Sequence, residues 1–91
     1  MTSLSYTKRM KVTVSVSQTV VHPKRFECIA CASDGSLYPG PSGSWGSSRQ
    51  AVDEAQSLFK GLEMNYTHPA IEKLGEPLYQ GHVFVAEPTE L

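Results

Sequence analysis

Along residues 10–21 the side chains alternate in character: Met10, Val12, Val14, Val16 and Val20 share one parity, while Lys11, Thr13, Ser15, Ser17 and Thr19 share the other. Only Gln18 interrupts the apolar side. Successive side chains of an extended chain point to opposite faces, so this pattern predicts a half-buried strand with one dry and one wet face. Branched valines fit a pleated surface, and a sheet wet on one side belongs to the antiparallel kind. Something amphipathic must cover the dry face.

His22-Pro23 ends this strand, because proline has no N–H for a ladder and restricts the residue before it. A second strand is expected over residues 25–33, with Phe26, Cys28, Ala30 and Ala32 on one face, where small side chains let a helix approach closely. Asp34-Gly35 is a tight-turn dipeptide, so Ser36, Leu37 and Tyr38 are read as a short returning strand. Twelve of the sixteen residues 33–48 are Ser, Gly or Pro. Such a segment has little to bury and is read as a long flexible connection, anchored by Leu37, Tyr38 and Trp45.

The covering helix comes next. Ala51, Val52, Ala55, Leu58, Phe59 and Leu62 recur at helical spacing. Ser47 with Gln50 three residues on fits a capping box, and Asp53 and Glu54 are placed near the first turn to complement the helix dipole. The end is expected between Gly61 and Met64. A short second helix is predicted over residues 69–74, opened by proline and closed by Gly75. Residues 78–86 read as the last strand, weakened or bulged at Gly81. The fold class is therefore α+β: a small antiparallel sheet of three to four strands with one main amphipathic helix on one face, in the order β-β-β-α-α-β.

Ninety-one residues, 40% hydrophobic and 19% charged, suit one domain over residues 1–91, with termini 1–8 and 87–91 expected to fray. A chain of this size has room for one core, which argues against a large multi-step enzyme. Residues 1–9 are polar and then basic without an apolar stretch, and no segment approaches 18 apolar residues, so a cytoplasmic protein is expected. Net charge is −1, but its layout is uneven. From Met1 to Arg49 six Lys and Arg face two acids, a net of +4; from Gln50 onward two lysines face seven acids, a net of −5. Kept on separate surfaces, these halves would make one face for phosphates and another that repels them.

Few motifs point to chemistry. Cys28-Ile29-Ala30-Cys31 has the spacing of a redox or zinc pair, but both cysteines fall in a strand pattern and point to opposite faces. A zinc site would need two further ligands from His22, His68 and His82. Structural cysteines are the favoured reading, and no metal or cofactor is expected. Gly43 to Arg49 leads into a helix N-terminus without a phosphate-loop signature, no nucleophile elbow occurs, and the histidines sit in turns or a strand. The chain is expected to be a binding protein, not an enzyme. Tyr6, Lys8, Arg9 and Lys11 before and within the first strand, with Lys24 and Arg25 opening the second, and Arg49 at the helix start, are the candidate contacts. They form one basic edge, or two patches if the strand ends separate them.

Two resemblances add expectations. The β-β-β-α-β order, with Asp34-Gly35 in the hairpin and Gly46-Ser47-Ser48-Arg49-Gln50-Ala51 leading into the helix, resembles the HicB-like antitoxin fold over residues 12–62, which implies a small RNase toxin as partner. In its length, its one small sheet with a helix, and its polar start running into Lys8-Arg9-Met10-Lys11, the chain resembles phage-encoded anti-CRISPR proteins. That likeness implies an inhibitor in the host bacterial cytoplasm. It would dock on the Cas subunits and guide RNA of a type I crRNA-guided surveillance complex and block target-DNA binding. A small metal or redox protein using Cys28 and Cys31 is the third reading.

Overall fold

The structure is a computed structural model that describes residues 9–86. Tyr6, Lys8 and the termini expected to fray lie outside the described residues. The elements run β1 (Arg9–Val20), β2 (Arg25–Ala32), β3 (Leu37–Tyr38), α1 (Ser48–Leu58), β4 (Asn65–Tyr66) and β5 (Pro77–Ala86). The strands form one antiparallel sheet in the order β3-β2-β1-β5-β4. The class is the α+β architecture expected, with five strands where three to four were expected, and one helix among the described residues.

The alternating segment becomes the central strand. Val12, Val14 and Val16 are fully buried, and β1 is paired along both edges, with Val14 opposite Ala30 on β2 and Gly81 on β5. Where the alternation fails, the pairing slips: the register shifts between Gln18 and Val20 against β2, and between Val16 and Ser17 against β5. Ser17 is buried there, and the Gln18 carbonyl accepts from the Gly75 N–H at 2.9 Å. The polar break is therefore a joint rather than a defect in the core.

Helix α1 lies over β1 and β2. Ala51 and Ala55 are fully buried against a floor of Val14, Val16, Phe26 and Ala30, and the Cys28 thiol donates to the Ala51 carbonyl at 3.3 Å. Small residues on both elements permit that approach. Ser47 caps the helix by accepting from the Gln50 N–H at 3.2 Å. No acid stands in the first turn, so Asp53 and Glu54 fall too late to serve the dipole there. The helix also ends sooner than expected, at Leu58. Phe59 leaves the helical path to sit in the core against Tyr38, ring centroids 5.9 Å apart, and Leu62 follows it inward. Burying both rewards extended chain over another helical turn, and Leu58 is left 53% exposed.

That early exit explains Gly81. The segment after the helix crosses β5 so closely that a Cβ on Gly81 would lie 2.1 Å from the Glu63 carbonyl oxygen. Glycine here provides clearance and not the expected bulge; the irregularity falls instead at buried Leu78, between Pro77 and Tyr79. Beyond the crossing, Asn65 and Tyr66 pair with Gln80 and Tyr79 as β4, a strand that the sequence reading did not include. No second helix forms over residues 69–74. One turn there would have nothing to bury, as Ile71 and Leu74 are exposed. Bonds from Thr67 to the Pro77 and Leu78 carbonyls and from Gly75 to Gln18 hold the segment as a loop instead.

The Ser/Gly/Pro segment is fastened along the outer edge of β2. Asp34 accepts from the Ser36 N–H and hydroxyl at 2.9 and 2.6 Å, which hold its carboxyl below the usual value, and Gly35 takes φ +91°. Trp45 and Phe26 exchange two backbone bonds of 2.8 and 2.9 Å. Tyr38 and Trp45 are anchors as expected. Leu37 is not, at 78% exposure.

Gly81→Ala is expected to lower the unfolding free energy in urea by about 2 kcal/mol or more, because backbone must move. Gly46→Ala, which meets nothing within 4 Å, should change it by less than about 0.5 kcal/mol. Equal effects would refute the clearance role.

Candidate binding surface on the open sheet face

With α1 covering one side, the other parity of each strand faces away from the core, and the registers define rows across it. Arg9 stands opposite Ala86, and Lys11 opposite Phe84. Thr13 lies between Cys31 and His82, and Leu37 extends that row beyond Cys31. Ser15 lies between Ile29 and Gln80, with Asn65 beyond, and Ser17 faces Glu27. Thr13 Oγ1 and His82 Nδ1 are hydrogen-bonded at 3.0 Å, and Gln80 donates to the Ser15 hydroxyl at 3.3 Å. Phe84 is 62% exposed and Ile29 47%. The face thus carries a polar central stripe with cations at one end and large apolar side chains on both flanks.

The predicted contacts separate into three places. Arg9 and Lys11 share the open face near the start of β1. Arg25 pairs with Val20, eleven residues further along β1, so Lys24 and Arg25 lie about 36 Å away at ~3.3 Å per residue. The single basic edge is therefore absent, and two patches stand in its place. Arg25 is also engaged: its guanidinium donates to the Ser44 hydroxyl at 2.9 Å and to the Ser44 carbonyl, pinning the loop. Lys24 is exposed in the turn. Arg49 belongs to the helix side, where it lines a shallow cleft with Val52, Asp53, Gln56 and Tyr79. Acids intervene as well. Glu27 shares the Arg25 end of the face, and Asp34 lies in the hairpin beyond the Arg9 end, so the division of charge along the chain does not become two whole surfaces.

Phe84, Ile29 and His82 were missed as candidates. Their strands were legible, but which cations they would neighbour depends on pairing between segments about 70 residues apart. In the sequence Phe84 lies in the unbroken apolar run Val83-Phe84-Val85, which gives no sign of which side chain is exposed.

Cys28 faces the helix and Cys31 the open side, opposite as the strand pattern requires, and both are free thiols. Burial, and secondarily the Glu54 carboxylate, push the Cys28 thiol up to about 11. Such a group stays protonated at neutral pH, which suits packing rather than metal binding or thiol chemistry. Among the described residues no three His, Cys, Asp or Glu side chains gather to hold a metal ion, and no helix is long and apolar enough to cross a membrane.

The fold defines a small α+β protein with one antiparallel sheet, one face of which no element covers among the described residues. No family model matches the chain, and comparison with curated proteins and with solved structures likewise finds no match.

In a Cys31→Ser variant, alkylation of Cys28 by iodoacetamide should stay slow at pH 9 and rise with a midpoint near 11. The folded chain keeps a proton that the unfolded thiol, near 9, gives up. Its stabilisation is whole below pH 9 and fades as pH rises through 11. A midpoint at 9 would contradict the packing described. Arg25→Ala should cost about 1 kcal/mol of stability and speed proteolysis near Ser44, while Lys24→Ala leaves both unchanged.

Proposed function

We propose that the protein is a non-enzymatic inhibitor whose open sheet face docks on a type I crRNA-guided surveillance complex and blocks its binding to target DNA. The observation that carries this reading is the exposed face itself, where Lys11 stands opposite exposed Phe84, Arg9 lies one row beyond, and exposed Leu37 and Ile29 lie one and two rows the other way across β1. From the Arg9 row to the Ser17 row it measures about 26 Å, and across five strands about 19 Å. That span encloses about 490 Å², short of the ~800 Å² per partner of an ordinary stable interface, so residues at the rim of the sheet complete the contact. Ile29 and Leu37 supply the apolar anchors of such a contact, and cations steer it toward a ribonucleoprotein. Blocking a surface takes affinity and preorganisation but no turnover, which a domain of this size can provide. The resemblance to anti-CRISPR proteins supports the partner named here. The HicB-like alternative rests on element order and hairpin alone.

Immobilised protein should retain a crRNA-loaded type I complex and abolish its gel shift of target DNA. Joint reversal of Arg9 and Lys11 to Glu should weaken capture roughly tenfold and flatten its salt dependence, with Lys24→Glu within about twofold of the parent. Undiminished capture by the double reversal would reject the docking face. Selective co-purification with a small RNase, without capture of the complex, would favour the antitoxin reading.

A further inference from the structure

Phe84 is the least explained residue of the open face. A phenyl ring exposed to 62% in mid-strand gives up the burial that its neighbours Val83 and Val85 obtain on the helix side. It does not extend the apolar flank formed by Ile29 and Leu37, because the stripe of Lys11, Thr13 and Ser15 on β1 stands between them. Its surroundings are of another kind. Lys11 is its direct cross-strand partner, Arg9 is one row beyond on the same parity, and the hydrogen-bonded pairs Thr13–His82 and Ser15–Gln80 follow on the other side. An apolar protein anchor would be badly matched by this frame, since it would bury a lysine and four polar groups.

We infer that Phe84, framed by Arg9, Lys11 and His82, is a stacking platform for single-stranded RNA. The inference rests on the docking reading above and names what that part of the face touches. Each component of a ribonucleotide finds its counterpart. An unpaired base has a π-face that stacks on an accessible aromatic ring whatever its identity. The phosphate beside it meets the Lys11 ammonium, carried on a long stem next to the ring, with Arg9 continuing the positive line. The 2′-hydroxyl, which both donates and accepts, meets a row of groups that do the same: His82, Thr13 and Gln80. The negative charge of the backbone matches these two cations. Acids stand around the platform and not within it: Glu63 lines a cleft with Gln80 and His82, Asp34 lies in the hairpin at the Arg9 end, and Glu27 is at the far end opposite Ser17. This hydroxyl-lined setting points to RNA over DNA.

The test is fluorescence anisotropy of the full chain with a fluorescein-labelled, mixed-sequence oligoribonucleotide of about ten nucleotides at low salt. Saturable binding is expected. Phe84→Ala should weaken it about tenfold, and Phe84→Trp should restore or exceed it, a rescue that a charge-only surface would not give. Because the ring is exposed, neither variant threatens the core; circular dichroism verifies that. Lys11→Glu should reduce the slope of log K against log salt by about 0.7 for the lost phosphate contact. The oligodeoxyribonucleotide of the same sequence should bind several-fold more weakly. Absence of RNA binding, or unchanged affinity in Phe84→Ala, overturns the platform, and equal affinity for the DNA overturns the assignment to RNA. The two proposals fail separately. Capture of the surveillance complex that persists in Phe84→Ala defeats the platform and leaves docking intact, whereas RNA binding without capture defeats docking and leaves the platform.

Discussion

The structure depends on one strand that is paired on both edges and covered on only one face. Pairing β1 with β2 and β5 satisfies its backbone on both sides, and burying Val12, Val14 and Val16 removes its apolar parity from water. Among the described residues, no element covers the opposite parity. The helix, the core and the exposed sheet face follow from that asymmetry: α1 must sit over the valines, and the polar side of β1 must become the floor of an exposed surface. The alanines of β2 and α1 set the distance between the layers, since their small side chains let Cys28 reach the helix backbone.

The remainder of the chain serves that arrangement at its edges. The Ser/Gly/Pro segment resembles a linker by composition, yet Trp45, Tyr38 and the Arg25–Ser44 bonds lay it along the rim of β2. A covered rim resists pairing with other chains. On the other side, the chain leaves the helix early, crosses Gly81 and returns as the two-residue β4. The early exit follows from competition: a further helical turn would have kept its hydrogen bonds, but it would have lost the burial of Phe59 and Leu62.

Separation of the cations narrows what the protein can bind. A continuous basic edge would have suited duplex backbone along its length. Two patches about 36 Å apart, one of them tied to a loop, leave Arg9 and Lys11 as the pair that shares a face with exposed aromatic and aliphatic side chains. The proposed docking on a ribonucleoprotein draws on that pair, and a net charge of −1 is unlike the basic balance of a dedicated nucleic-acid binder.

By itself the sequence determined the elements whose physics is local. The alternation around Val12 to Val16 required a one-faced strand, Asp34-Gly35 a hairpin, and Ser47 with the Ala51–Ala55 spacing a capped amphipathic helix, and all three formed, although the helix stops at Leu58, short of the expected end between Gly61 and Met64. Even the opposite orientation of the two cysteines could be read from a period of two. What only the tertiary structure decided was everything set by partners distant in the chain: β5 inserted beside β1, the two-residue strand at Asn65, the clearance at Gly81, and the meeting of Lys11 with Phe84. Residues 69–74 carried proline and glycine signals suited to a helix but had no surface to bury against. Local signals fix which conformations a segment prefers; which segments meet, and so which side chains share a face, depends on burial gained across the whole chain.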